Sequence, residues 1–195
     1  YGLDVTNLHT VIDDKGKGAR ISSTRIRDLL MAGDINAANA LLGRDYAMTG
    51  VVVGGDKIGR TMDFPTANVD LKRIKPALHG IFAVDVVSLD DNGNVIPNGL
   101  TALTDSENPG VAGLRPHSLF GTANIGIRPS VDKEHDWRLE VHFPKLQADL
   151  YGLTLQVRLL HYLNGERHYE SLEALKTGIH HDVIDLLEWR ARQPV

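Results

Sequence analysis

The 195 residues contain no cysteine. That excludes a disulfide framework and every thiolate metal site, and it makes a cytoplasmic address the plain reading. No apolar run approaches the roughly 20 residues that a membrane-spanning helix needs, and the start shows no signal-peptide pattern. Aromatic residues are sparse at 6%, and the formal net charge is −4. A basic, aromatic-rich surface for nucleic acid is therefore not expected. The nine histidines show no HExxH or other ligand spacing. His180-His181-Asp182 puts adjacent residues on different faces of a helix, so no histidine metal site is expected there. What is present, 42% apolar and 24% charged residues, is ordinary for a globular protein. The length allows one substantial core, or one domain with an appendage. Because it opens at Tyr1 rather than a methionine, the chain is expected to be a fragment of something longer.

Taken in order, Asp13 to Gly18 reads as a polar turn. Ser22, Ser23 and Thr24 offer hydroxyl caps for a helix through Arg25, Ile26, Leu29 and Leu30 that stops at Gly33. Asp34 caps a second helix, Ile35 to Leu42, which stops at Gly43. The two read as a connector between domains. From Tyr46 the texture turns to β, with short apolar runs at Met48 to Val53, Ile81 to Val87, Gly121 to Ile127, Leu139 to Phe143 and Leu153 to Leu163. Asp91-Asn92-Gly93-Asn94 is a strong turn between strands. No helical pattern separates the runs, so an antiparallel barrel or sandwich fits better than parallel βαβ units. Residues 98–119, poor in periodicity and rich in Gly, Pro, Asn and Ser, read as a long surface loop. Leu172, Leu175, Ile179, Val183, Leu186 and Leu187 fall at helical spacing behind Ser171, which predicts an amphipathic helix laid on the barrel.

The most informative stretch is GGDKIGRTMDFPTAN, Gly54 to Asn68. It starts where the run Val51-Val52-Val53 breaks into glycine, which lets backbone N–H groups converge on an anion. Lys57 and Arg60 add positive charge. Pro65 keeps Phe64 extended. If the chain stays extended beyond it, Thr66 and Asn68 share a face, and a hydroxyl beside an amide oxygen suits Mg²⁺ shared with nucleotide phosphates. A hairpin is the plainer account of a Gly-rich loop after a strand, and the spacing is not that of a Walker A loop.

Three further segments carry chemistry. In Arg138 to Phe143 (RLEVHF), Leu139, Val141 and Phe143 take one strand face while Glu140 and His142 take the other. Glu140 could act as general base to a substrate hydroxyl, or the face could simply be solvated. Asn124 to Pro129 (NIGIRP) ends a strand with Arg128 at a rigid corner, where it could bind phosphate or a planar ring, or form a structural salt bridge. SSTRIR, Ser22 to Arg27, could hold phosphate at a helix N-terminus, although simple capping uses the same serines.

Taken together, GGDKIGRTMDFPTAN, ANIGIRPS, LEVHF followed by DLYG (Asp149 to Gly152), and SLEAL resemble the riboflavin kinase family, and more closely the kinase module of bacterial bifunctional riboflavin kinase/FMN adenylyltransferases. The resemblance runs from about Tyr46 to Leu187. ISSTRIR is similar to the last motif of the adenylyltransferase module, where it contacts ATP phosphates; the HxGH-type motif of that module does not occur in these residues. The division implied is an adenylyltransferase remnant and helical linker over 1–44 and a kinase barrel over 45–190.

The resemblance implies a six-stranded antiparallel Greek-key barrel with a C-terminal helix, with ATP and riboflavin as substrates and Mg²⁺ as the metal. Thr66 and Asn68 would hold Mg²⁺ and the ATP phosphates, and the loop with Gly54, Lys57, Gly59 and Arg60 would cover the nucleotide. Glu140 would take the proton of the terminal ribityl hydroxyl. Phe64, Asn124 and Arg128 are candidate flavin or phosphate contacts, and the C-terminal helix with nearby loops would cradle the isoalloxazine. Ser22, Ser23, Thr24 and Arg27 would be the remnant phosphate motif. No FAD synthesis is expected from the chain alone. Asp63 and Ser130 depart from the family's usual glycine and threonine. Asp63 feeds the alternative of a regulatory barrel that binds flavin or nucleotide without turnover.

Overall fold

The computed structural model describes residues 11, 12, 18, 20–54, 66–72, 75–104, 114–128, 136–144, 146, 148–167 and 169–193. Six strands, β1 (Ala47–Val53), β2 (Thr66–Asp70), β3 (Gly80–Leu89), β4 (Leu119–Arg128), β5 (Asp136–His142) and β6 (Thr154–Asn164), close into a barrel in the order β1-β2-β5-β4-β3-β6. Every neighbouring pair is antiparallel. β3, β4 and β5 follow one another around the wall and β6 returns beside β3, which is the Greek-key order. Five of the strands fall on the apolar runs of the sequence. The sixth, β2, is the extended continuation beyond Pro65.

Alternation sorts the side chains. In β1, Met48 and Val52 point inward while Thr49, Val51 and Val53 face out. Ala67, Val69, Phe82, Val84, Ala123, Ile125, Leu139, Val141, Leu155 and Val157 fill the interior. Burying each larger aliphatic or aromatic side chain contributes about 1.5–3 kcal/mol. The barrel is therefore a packed core, and any site must lie on its outer surface or at its ends.

Helix α1 (Ser23–Met31) starts at Ser22, whose hydroxyl accepts from the Arg25 N–H at 3.2 Å. Helix α2 (Ile35–Leu42) starts at Asp34, which accepts from the Ala37 N–H at 3.0 Å, and ends at Gly43 with φ 66°. Gly43 adopts the left-handed conformation without a Cβ penalty. Leu30, Ile35 and Ala38 are buried in the same cluster as the barrel interior. The two helices thus pack against the barrel in one continuous apolar cluster, which the sequence of each helix alone does not reveal.

Helix α3 (Leu172–Ala191) is capped by Ser171. It packs Leu186 against Ala83 and Phe120 on the outer surface of β3 and β4. Trp189 stacks on Phe120 and His161, with ring centroids 6.0 and 5.4 Å apart. Most of the predicted stripe faces the barrel: Leu186 is buried and Leu175, Ile179 and Val183 are half-buried, joined on that face by Gly178 and Asp182, while Leu172 is 61% exposed and Leu187 is also exposed. The aromatic docking of Trp189 sets the rotation of the helix, and it turns those two leucines outward.

Two loops also differ in part from expectation. The Asp91–Asn94 turn forms, with Asp90 accepting the Asn92 and Asn94 N–H groups at 2.9 and 2.8 Å. It leads only to a single bridge, Leu89 to Val95, and not to the next barrel strand. The described parts of 98–119 lie on the surface, as Asn98, Ala102, Leu103, Pro116 and His117 show, but are anchored at two points: Leu100 is fully buried, and Arg115 inserts beside Asp85. Asp85, on the outer side of β3, has no exposure and lies between two arginines. Arg115 Nε and Arg158 Nε each donate to its Oδ1 at 3.0 Å. Arg158 also donates to Asp45 at 2.7 Å, fastening the residues after α2 to β6.

Candidate active site on the outer barrel wall

The alternation of β5 sends Leu139 and Val141 into the core and leaves Arg138, Glu140 and His142 on the outer wall. Register then sets their neighbours. Glu140 faces Asn68 of β2 on one side and Asn124 of β4 on the other. Directly opposed residues share a face and lie about 4.5–5.5 Å apart at Cβ. Three adjacent strands therefore present a carboxylate between two carboxamides. The next row pairs Thr66, His142 and Thr122 in the same way.

This patch is not a solvated strand face. The Glu140 side chain is 28% exposed, and Arg138 Nη1 donates to its Oε1 at 3.3 Å. His142 is only 7% exposed, and Asn68 and Asn124 are half-buried. Asn124 Oδ1 is buried with no hydrogen-bond partner among the described residues. An unmet buried acceptor costs about 1–3 kcal/mol, and a side-chain amide can turn by half a rotation to offer its other end. An orphan acceptor next to a carboxylate is a ready receiver for a hydroxyl donor.

The remaining candidates divide. Gly54 follows Val53, which faces Asn68 across β1 and β2, so the glycine stretch departs from the edge of this patch. Lys57, Gly59, Arg60, Asp63, Phe64 and Ser130 lie outside the described residues. Arg128 is the last residue of β4, and its backbone pairs with Asp136. Ser22 caps α1, while Ser23, Thr24 and Arg27 are exposed on that helix. Helix α1 packs on α2, and α2 on β6, the strand opposite β5 in the six-membered ring. The SSTRIR segment is thus not brought to Glu140. Sequence reasoning passed over Arg138 as a partner of Glu140, although both stand on the same alternating face. It also passed over Thr122, which only the register exposes.

The donor set suits a hard cation. Thr66 and Asn68 offer a hydroxyl and an amide oxygen from one face of β2, and Glu140 offers a carboxylate from the next strand. Mg²⁺ takes such oxygens, commonly one or two from protein with the rest from water and phosphate. Among the described residues no cluster of three or more His, Cys, Asp or Glu could form a dedicated protein cage.

The family described as flavokinase, riboflavin kinase, matches residues 42–189. The bifunctional riboflavin kinase/FMN adenylyltransferase of Escherichia coli (strain K12) is 36% identical over 189 residues, 97% of this chain and 51% of that protein. The protein of the same name from Pseudomonas fluorescens is 38% identical over 182 residues, 93% of this chain and 49% of that one. The chain spans about half the length of these curated relatives. A crystal structure described as a macrolide-efflux protein from Streptococcus pneumoniae superimposes with a TM-score of 0.67 at 27% identity, covering 92% of this chain and 50% of that one. Among the described residues, no helix here is long and apolar enough to cross a membrane. The family match opens at the last residue of α2 and runs almost to the end of α3, taking in every strand of the barrel and the row Asn68, Glu140, Asn124: the chain belongs to the riboflavin kinase family.

Proposed function

We propose that this chain transfers the γ-phosphate of ATP to the terminal ribityl hydroxyl of riboflavin, giving FMN and ADP, in the cytoplasm. The observation that supports it most directly is the register that sets Glu140 between Asn68 and Asn124. Glu140 accepts the proton of the attacking hydroxyl as its oxygen bonds to the γ-phosphorus and the bond to the β–γ bridging oxygen breaks. Phosphoryl transfer asks chiefly for positioning and charge neutralisation. Thr66 and Asn68 are the residues that would hold Mg²⁺, which when bound neutralises phosphate charge. Arg138 keeps the carboxylate oriented through its hydrogen bond. Asn124 receives a substrate hydroxyl at its unmet acceptor. The glycine stretch with Lys57 and Arg60 covers the nucleotide, Phe64 and Arg128 contact flavin or phosphate, and the α3 side of the wall receives the isoalloxazine.

In the full-length protein, α1 and α2 follow an adenylyltransferase domain, as the names of the relatives and the SSTRIR resemblance suggest; the 195 residues alone do not convert FMN to FAD. Chromatography of flavins after incubation with riboflavin, ATP and Mg²⁺ tests both statements. FMN that forms with metal and disappears with chelator, without FAD, is the expected result. Unchanged riboflavin with quenched fluorescence would replace the kinase with a binding barrel, and FAD formed from FMN would overturn the second statement.

A further inference from the structure

Beyond the row that carries Glu140, the outer wall holds a second carboxylate. Glu166 lies between β6 and α3, and its carboxylate rests on Gly126 of β4. A Cβ built on Gly126 would stand 2.2 Å from Glu166 Oε1 and 2.8 Å from its carboxylate carbon. The Gly126 backbone is not in the left-handed region, so glycine is needed there for room and not for conformation. Glycine inside a strand commonly marks such a close approach. Gly80 of the neighbouring β3 makes room for the start of the same segment: a Cβ there would meet the Asn164 carbonyl at 2.8 Å. Two glycines on adjacent strands thus seat the segment that delivers Glu166.

Its placement relative to Glu140 follows from register. Gly126 faces Arg138, which hydrogen-bonds Glu140, and Asn124, two residues earlier on the same face, is directly opposite Glu140. Gly126 is therefore the diagonal neighbour of Glu140, about 7–8 Å away, on β4, one of the strands against which α3 packs. Glu166 is exposed and makes no hydrogen bond or ion pair among the described residues. An ionised carboxylate is an acceptor only. It suits hydroxyl donors and repels phosphate.

We infer that Glu166 is a substrate-positioning residue that accepts hydrogen bonds from hydroxyls of the ribityl chain, between the reacting end at Glu140 and the ring end toward α3. The inference rests on the kinase reading above. It makes Gly126 a residue that determines specificity, because any side chain there displaces the carboxylate.

The test compares Glu166→Ala with the unaltered chain, using riboflavin and lumiflavin, which has the ring system without the hydroxyls. The expected result is a riboflavin KM and Kd raised about tenfold, with the KM for ATP and the lumiflavin Kd unchanged. Gly126→Ala should reproduce it, and Glu166→Ala stands alone if Gly126→Ala does not fold. Riboflavin affinity within about twofold of the unaltered chain, in a variant that still makes FMN, would overturn the inference and leave the kinase reading intact. Equal weakening of lumiflavin would also overturn it. An unaltered chain that neither phosphorylates nor binds riboflavin would remove the reading and the inference together.

Discussion

Asn68 and Glu140 stand opposite each other across β2 and β5, on the outer wall of a barrel whose interior is filled. The pairing joins the end of the FPTAN element to the LEVHF strand, 72 residues further along the chain (140 less 68). A slip of one residue in either strand would send one of them into the core. Ala67, Val69, Leu139 and Val141, all buried on the inner face, hold the register that keeps both outside.

Asn68→Ala should lower kcat/KM for ATP by about 100-fold, because a ligand that acts on transferring charge is lost. Its stability should change by less than about 0.5 kcal/mol, since the side chain is outside the core. Steady-state kinetics beside urea unfolding checks both. A variant with unchanged kinetics would remove Asn68 from the nucleotide site.

Asp85→Asn should destabilise the chain by about 3–5 kcal/mol, because two arginines then face a buried neutral group. Arg158 also holds Asp45, so the loss should extend to the residues that fasten α2 to β6. Hydrogen exchange at α1 and α2 should rise together with the fall in the urea midpoint. Protection that stays unchanged in α2 would show that the network does not tie the helices down.

These outcomes also mark what the sequence made legible. Short apolar runs located β1, β3, β4, β5 and β6, and the capping residues Ser22 and Asp34 with Gly33 and Gly43 located α1 and α2, because those signals are local. The outer wall was half legible: Glu140 and Asn68 each sit on a readable face, but their opposition depends on pairing strands distant in sequence. Leu100 and Arg115 were missed because an isolated anchor has no periodicity. Glu166 was missed because its signal is a glycine forty residues earlier (166 less 126), in another strand.

Asp182 supplies a pH test. It is 8% exposed, and burial pushes its carboxyl above the ordinary carboxylate range; Asn164, which donates to it at 3.2 Å, opposes the shift. The folded state thus favours the protonated form. Its contribution to stability is present below the unfolded value and is lost as pH rises through the raised folded one. Asp182→Asn should therefore raise the melting temperature at pH 7.5, and the gain should shrink as pH falls toward about 4. A gain that grows on acidification would contradict this assignment.

The most direct test of the central claim is Glu140→Gln, assayed for FMN formation and, separately, for riboflavin binding by fluorescence quenching. If Glu140 takes the proton of the ribityl hydroxyl on this wall, turnover falls by about 10²–10⁴-fold while the riboflavin Kd moves by less than about threefold. Turnover within about threefold of the unaltered chain, with binding intact, would contradict the claim and move the base elsewhere.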